Sequence, residues 1–440
     1  MQRVAKREVA TMESLLQRAK MRSFPILILL VTISFAMVYQ YYLHRWWTGI
    51  PGKWAYGDLV ILSEQSATAW NGPGIEHIYT GQGYLLIAFP GFIYGMGIAT
   101  WIAHLCGMVA PMGTLFGFHH QLYILPQGAS WNLIIPLSAA VGLVPIVAAD
   151  SLLRDLGADR WSRYLGTVVC AVLLWWISIY WGHPDDAIAV GLLLWGASSI
   201  FRGSSRRGYW YIGFGLCCQP LIALAIPILL AITAWRKWGG AIARMLLPSI
   251  IVLLPPFIGS PGATFRQIVL QPAMTPFKTP WLSLAPHVPK TVFSAYGSYE
   301  VSGGAVRAVS VLAALGLGIW TAISVRRHGP YERAYVVWLM GVALSFRVLV
   351  EPVLLPYYVV PVLAILMISA SSRGVWRSLL YSACAVIQIC AVSFYSAPWP
   401  YWCCLLATTT CCVLAARPTS RSSAEDKLIE GDVKELIGAG

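Results

Sequence analysis

Apolar runs close to the ~20 residues needed to cross a bilayer recur from Phe24 to Ala416, separated mostly by short Arg and Lys clusters. A chain with this pattern has lipid, rather than water, as the natural solvent for most of its surface. Apolar residues fill 58% of 440 positions and charged residues 11%, against roughly 25% charged in soluble domains. Folded in water it would expose large apolar patches. The expected fold class is all-α, a polytopic membrane protein.

A net charge of +13 invites a nucleic-acid reading. Its clusters, such as Arg202-Arg206-Arg207, Arg236-Lys237 and Arg326-Arg327, instead lie between apolar runs, as cytoplasmic loops do. No nucleic-acid partner is expected. The ten cysteines lie inside apolar runs and read as small packing residues, not as disulfides or a zinc site. Arg3, Lys6, Arg7, Arg18, Lys20 and Arg22 precede the first run without a small-residue cleavage site. Residues 1–23 are therefore expected as a cytoplasmic tail, 24–416 as the membrane domain and 417–440 as a second cytoplasmic tail.

Spans are expected near Phe24–Leu43, Tyr84–Val109, Trp131–Leu152, Tyr164–Tyr180, Ala187–Phe201, Trp210–Trp235, Ala241–Ile258, Ala305–Val325, Tyr335–Val350, Pro356–Ser371, Leu379–Tyr395 and Trp399–Ala416. That makes about 12, with both chain ends inside. Two long polar stretches, 44–83 and 259–304, then share the outer side, the first with a short interfacial helix over Leu59–Trp70. Under this count two basic loops, around Arg154/Arg160/Arg163 and Arg202/Arg206/Arg207, fall outside, against the charge rule. A re-entrant pair within 84–128, or two short passes over Trp210–Trp235 at Gly213, Gly215 and Pro220, would repair this. No internal repeat is visible, which weighs against the repeat-built secondary transporters.

The first outer stretch reads Trp54-Ala55-Tyr56-Gly57-Asp58-Leu59, and the helix after it carries Glu64. Two readings fit Asp58. A carboxylate at the start of an interfacial helix can accept the proton of an attacking hydroxyl, or it can merely cap the helix. Arg347 and Glu351 stand four apart, on one face of an apolar helix. Charges within a span face a cavity or a partner. A guanidinium there can grip a phosphate, and the same two groups equally make a structural ion pair. His183-Pro184-Asp185-Asp186 sits at a span edge and suggests a sugar or metal site, yet Pro and Asp also suit any helix start. Two Asp and one His are too few to be diagnostic, so no metal and no cofactor is assigned. Arg266, Lys278, His287 and Lys290 lie among Trp281, Phe293 and Tyr296 in the second outer stretch, where cations and aromatics suit lipid phosphates or an ordinary interface. His119-His120 reads as interfacial. P-loop, HExxH and G-x-S-x-G elements do not occur.

A first span, an outer Gly57-Asp58-Leu59 element, a helix, Tyr79 before an apolar re-entry, and a late Glu351…Pro356-Tyr357-Tyr358…Pro361 entry together resemble the GT-C superfamily. Within it the pattern is similar to glycosyltransferase family 87, the polyprenyl-phosphate-dependent membrane mannosyltransferases of bacteria. The resemblance covers the general layout and is sharp only at 56–90 and 347–361; the His183-Pro184-Asp185-Asp186 turn departs from the family's form. It implies a GT-C-like bundle in the bacterial plasma membrane that inverts configuration at a sugar, mannose or arabinose by analogy. The sugar would pass from a polyprenyl-phosphate donor to an envelope glycolipid or polysaccharide on the outer side. Asp58 matches the family's base. With the resemblance, Arg347, Lys278 and His287 are expected to hold the donor phosphate. Tyr56, Glu64, His183, Asp185, Asp186, Glu351 and Tyr357 are expected to bind substrate, with membrane lipids around them. The alternative is a multi-pass transporter or lipid flippase.

Overall fold

A computed structural model describes residues 23–39, Leu59, Leu62, Ser66, Ala69 and Trp70, then 74–80, 89–108, 112–118, 121–127, 131–265, 267–268, 272–273, 278–284, 300–301 and 305–418. The expectations for Asp58, Tyr56, Glu64, His287, Arg266, Lys290, His119-His120 and nearly all of both tails fall outside these residues.

The architecture is helical. Its helices are α1 (Ser23–Val38), α2 (Pro90–Leu105), α3 (Trp131–Leu143), α4 (Pro145–Asp155), α5 (Arg160–Trp175, extended by a π-helical turn Trp176–Tyr180), α6 (Pro184–Phe201) and α7 (Ser205–Cys218). After these come α8 (Pro220–Ala231), α9 (Trp238–Gly259), α10 (Ala305–His328), α11 (Arg333–Val350), α12 (Pro356–Ser371), α13 (Val375–Ser393) and α14 (Pro398–Ala416). Two antiparallel two-stranded ribbons, Met112–Phe118 with Gln121–Gln127 and Pro272–Ala273 with Glu300–Val301, are small additions to an otherwise all-α chain.

Among the described residues, seven helical stretches are long and apolar enough to cross a membrane. Burial sorts them. Arg333–Val350 is 61% buried along its apolar window, but Trp235–Gly259 only 22%, so α9 turns Ile250, Ile251, Leu254 and Ile258 outward. In a soluble protein that face would aggregate; in a bilayer it meets lipid. At the centre runs α12, buried on every side from Val360 to Ser371 and packed by α4, α5, α11, α13 and α14.

One span differs from expectation. Trp210–Trp235 is two short helices, α7 and α8, meeting at Gln219-Pro220. Gln219 is extended (φ −154°, ψ 117°), as a residue before proline prefers, and Pro220 opens the next helix. Gly213 and Gly215 are not the break. A Cβ on Gly213 would lie 2.6 Å from the carbonyl of Arg244 in α9, and one on Gly215 2.7 Å from Ile222 in α8. The same logic brings α6 and α7 together, where a Cβ on Gly208 would meet the Gly196 carbonyl at 2.7 Å. Close backbone approach through small residues is how helices associate in lipid.

The break at Gln219-Pro220 lets the basic loops before and after it gather at one end of the bundle. Arg154 and Arg163 both pair with buried Asp150, at 3.0 and 2.9 Å. Arg202 pairs with Asp155 at 2.7 Å, whose carbonyl also accepts from Arg333. Arg373 pairs with Glu332. These residues share one pole of the bundle, the grouping that the positive-inside rule expects of loops on one side. At the other pole the two outer stretches meet: His77 bonds Ser260 at 3.1 Å, and Glu76 packs where a Cβ on Gly259 would lie, 2.4 Å from its own Cβ. All five described positions between 59 and 70 are helical. Leu59, Leu62, Ser66 and Ala69 form their buried face, in the register of one side of a helix.

Candidate functional site

The site lies at the pole opposite the basic loops and starts from one turn. The π-helical turn ending α5 places the Ile177 carbonyl to accept from the His183 backbone N–H at 3.0 Å; such bulges interrupt helices most often at functional sites. Gly182 takes φ 75°, a left-handed conformation costly for any residue with a Cβ. Pro184 then starts α6 with its fixed φ, and Asp185 and Asp186 occupy the first turn, where the helix dipole favours carboxylates. His183, Asp185 and Asp186 are 0%, 0% and 3% exposed, far more enclosed than ordinary capping requires. His183 Nδ1 is 3.6 Å from Asp185 Oδ1 and 3.9 Å from Asp186 Oδ2.

A second set comes from the far end of the chain. α11 stops at Val350 because Glu351 is extended ahead of Pro352. Arg347 Nε donates to Glu351 Oε2 at 2.8 Å, and the guanidinium lies 4.6 Å over the ring of Tyr358, in cation–π range. Tyr358 meets Tyr357 edge-on at 4.8 Å, and Tyr357 stacks on the His183 imidazole at 4.0 Å. An unbroken path of contacts therefore runs from the two aspartates to the Arg347–Glu351 pair. The charge of Arg347 reaches Asp186, and the Gln219 side chain, from the α7–α8 joint, hydrogen-bonds Asp186.

The second outer stretch closes this pole. The Thr279 hydroxyl donates to the Glu351 carbonyl at 2.6 Å and its N–H to the Pro352 carbonyl at 3.0 Å. Trp281 Nε1 donates to the Leu349 carbonyl at 2.9 Å, and Lys278 bridges Val353 through the backbone. Arg307, in the first turns of α10, interacts with Glu351, Arg347 and Tyr358.

Of the expected residues, the structure thus brings together His183, Asp185, Asp186, Arg347, Glu351 and Tyr357, with Lys278 at the rim. Asp58 itself lies outside the described residues. Its sequence neighbour Leu59 is buried in a cluster with Phe92, Ile93 and Ile134, against which Ile188 of α6 and Cys218 of α7 pack. Arg307 and Gln219 were not singled out from the sequence, and Tyr358 entered only as part of the Pro356-Tyr357-Tyr358 motif. Arg307 had a signal that could have found it, being a lone cation just inside an apolar run, as Arg347 is. All ten cysteines are free thiols; Cys170, Cys217 and Cys412 are buried, while Cys106, Cys390, Cys403, Cys404 and Cys411 are exposed on the surface of the chain.

The chemistry this offers is mixed. Two guanidiniums, Arg347 and Arg307, lie within electrostatic reach of Glu351 and can attract an anion; beside them are two carboxylates and an imidazole that can accept hydroxyl protons. Enclosing so many ionisable groups is costly unless they serve binding.

No family-level profile matches the chain, and no solved structure does. Over 72 residues, 16% of this chain, it is 36% identical to the inner membrane protein YecN of Escherichia coli K12, covering 51% of YecN. The YecN of Escherichia coli O6:H1 gives the same figures. The chain spans about half the length of the curated relatives it matches. Together with its apolar helices, this makes the chain a multi-pass protein of the plasma membrane.

Proposed function

We propose that the protein is a membrane-embedded glycosyltransferase with a GT-C-like bundle, moving a sugar from a polyprenyl-phosphate donor to an envelope glycolipid or glycan on the outer side. The observation that carries this reading is the ion pair of Arg347 with Glu351, with Arg307 in electrostatic reach, next to Asp185, Asp186 and His183. Paired guanidiniums suit a phosphate leaving group, and carboxylates suit sugar hydroxyls. In the reaction an acceptor oxygen bonds to the anomeric carbon as the bond to the carrier phosphate breaks, with inversion. The acceptor proton goes to a carboxylate, Asp58 by the family resemblance, while Arg347 balances the charge of the departing phosphate. The donor enters sideways from the outer leaflet, at the pole away from the basic loops.

The test is purified protein in nanodiscs supplied with a radiolabelled polyprenyl-phosphate sugar and envelope lipids. Label should pass to a new glycolipid in the wild type. Full transfer by Asp58→Asn would remove Asp58 as the base, and absence of any product across donors would remove the transferase reading.

A transporter or flippase is the second reading. It is favoured by the short helices α7 and α8, whose joint lies beside Asp185 and Asp186, as broken helices lie around transported ions. A glycosidic product in the same assay excludes transport alone.

A further inference from the structure

The geometry points to a divalent metal site formed by His183, Asp185 and Asp186, with Zn2+ or Mn2+ as the fitting ions. One ligand atom from each side chain falls within 4.8 Å of the others, and the imidazole nitrogen is 3.6 and 3.9 Å from the two carboxylates. Ligands each about 2.0–2.2 Å from a shared ion stand roughly 3–4 Å apart. All three side chains come from one turn, fixed by Gly182 and Pro184, so the constellation needs no distant helix to assemble. The stack on Tyr357 sets the plane of the imidazole, and Gln219 holds Asp186 from outside the cluster, as the supporting partners of metal ligands do.

A second observation points to a cation. Asp185 is fully enclosed, and among the described residues no donor reaches either of its carboxylate oxygens. Burying a carboxylate without hydrogen bonds is costly. The nearest guanidinium in this network, Arg347, is engaged by Glu351. A divalent ion between the aspartates and the imidazole satisfies the stranded oxygens and offsets the adjacent negative charges together. Nitrogen in the ligand set favours a borderline ion over Mg2+ or Ca2+. This inference rests on the geometry alone and is read without turnover, so it stands or falls separately from the transferase reading.

The experiment uses tag-free full-length protein in nanodiscs, stripped with EDTA and titrated with Mn2+ under electron paramagnetic resonance, with Zn2+ retention measured in parallel by elemental analysis. The expected result is about one tightly bound ion per chain, with imidazole nitrogen coupling on the bound Mn2+. Asp185→Asn should weaken binding about tenfold or more, and His183→Gln should abolish the nitrogen coupling. Asp155→Asn, at the opposite pole, should bind like the wild type. Should the site variants fail to fold, the wild-type spectrum still decides. Wild type that retains neither ion, that matches Asp185→Asn, or that shows bound Mn2+ without nitrogen coupling would overturn the site.

Discussion

The imidazole of His183 lies flat against the ring of Tyr357, centroids 4.0 Å apart and planes 27° from parallel. This contact joins the α5–α6 turn to the start of α12 and brings the aspartates within reach of the Arg347 network. Tyr357 is 1% exposed, so truncation opens a cavity there. Tyr357→Ala is expected to cost about 3–5 kcal/mol and to free the imidazole, whereas Tyr357→Phe keeps the stack and most of the stability. Thermal unfolding in detergent distinguishes them, and equal losses from both would show that the ring contact is unimportant.

Glu351 pairs with Arg347 and lies within electrostatic reach of Arg307, which ranks two substitutions. Glu351→Gln leaves the enclosed Arg347 guanidinium without its paired carboxylate and should destabilise by about 3–5 kcal/mol. Arg347→Met leaves Arg307 to balance Glu351 and should cost clearly less. Denaturation of both variants in one detergent tests the order. The reverse order would mean that Arg307 does not share the pair.

Asp159 caps α5. Its side chain accepts from the backbone N–H groups of Trp161 and Ser162, at 3.0 and 3.1 Å, and from the Ser162 hydroxyl. Asp159→Ala should cost about 1 kcal/mol. The Ser162 hydroxyl, followed by the backbone bonds, holds this carboxyl below the ordinary carboxylate range. A lowered native pKa contributes stability above the unfolded value and loses it as pH falls through the native one. The gap between wild type and Asp159→Ala should therefore narrow under acid. A gap independent of pH would show that the ionised cap is not responsible.

The break at Gln219-Pro220 makes a sharp topological prediction. Two passes over 205–231 put Ser204 and Lys237 on the same side, so alkaline phosphatase fusions ending at these two residues should be alike in activity, and fusions ending at Ser260 should differ from both. A single pass across Trp210–Trp235 would make the Ser204 and Lys237 fusions differ.

Much of the helical layout was legible because apolar runs of bilayer length separated by Arg and Lys leave few alternatives. Arg347 and Glu351 were legible as a pair because four-residue spacing is local. The turn at His183 was legible as a helix start for the same reason. Residues 210–235 were misread because an apolar run of that length suffices for one crossing, and glycines that resemble breaks were packing surfaces against α6, α8 and α9. What spacing could not supply was the meeting of the two halves. Nothing local to His183 announces Tyr357, and nothing near Glu351 announces Arg307, because those contacts exist only once distant helices pack.

The ion pairs at the basic pole have a mechanical consequence. Asp150 ties α4 to α5, Asp155 ties α4 to α6 and α11, and Glu332 ties α11 to the turn ahead of α13. Among the described residues, the far pole is held mainly by neutral contacts: the ring stacks, the Thr279 and Trp281 bonds to the end of α11, and His77 on Ser260. The two ends therefore differ in kind, one fastened largely by charge, which dissolved salt weakens, and the other largely by contacts that salt leaves alone.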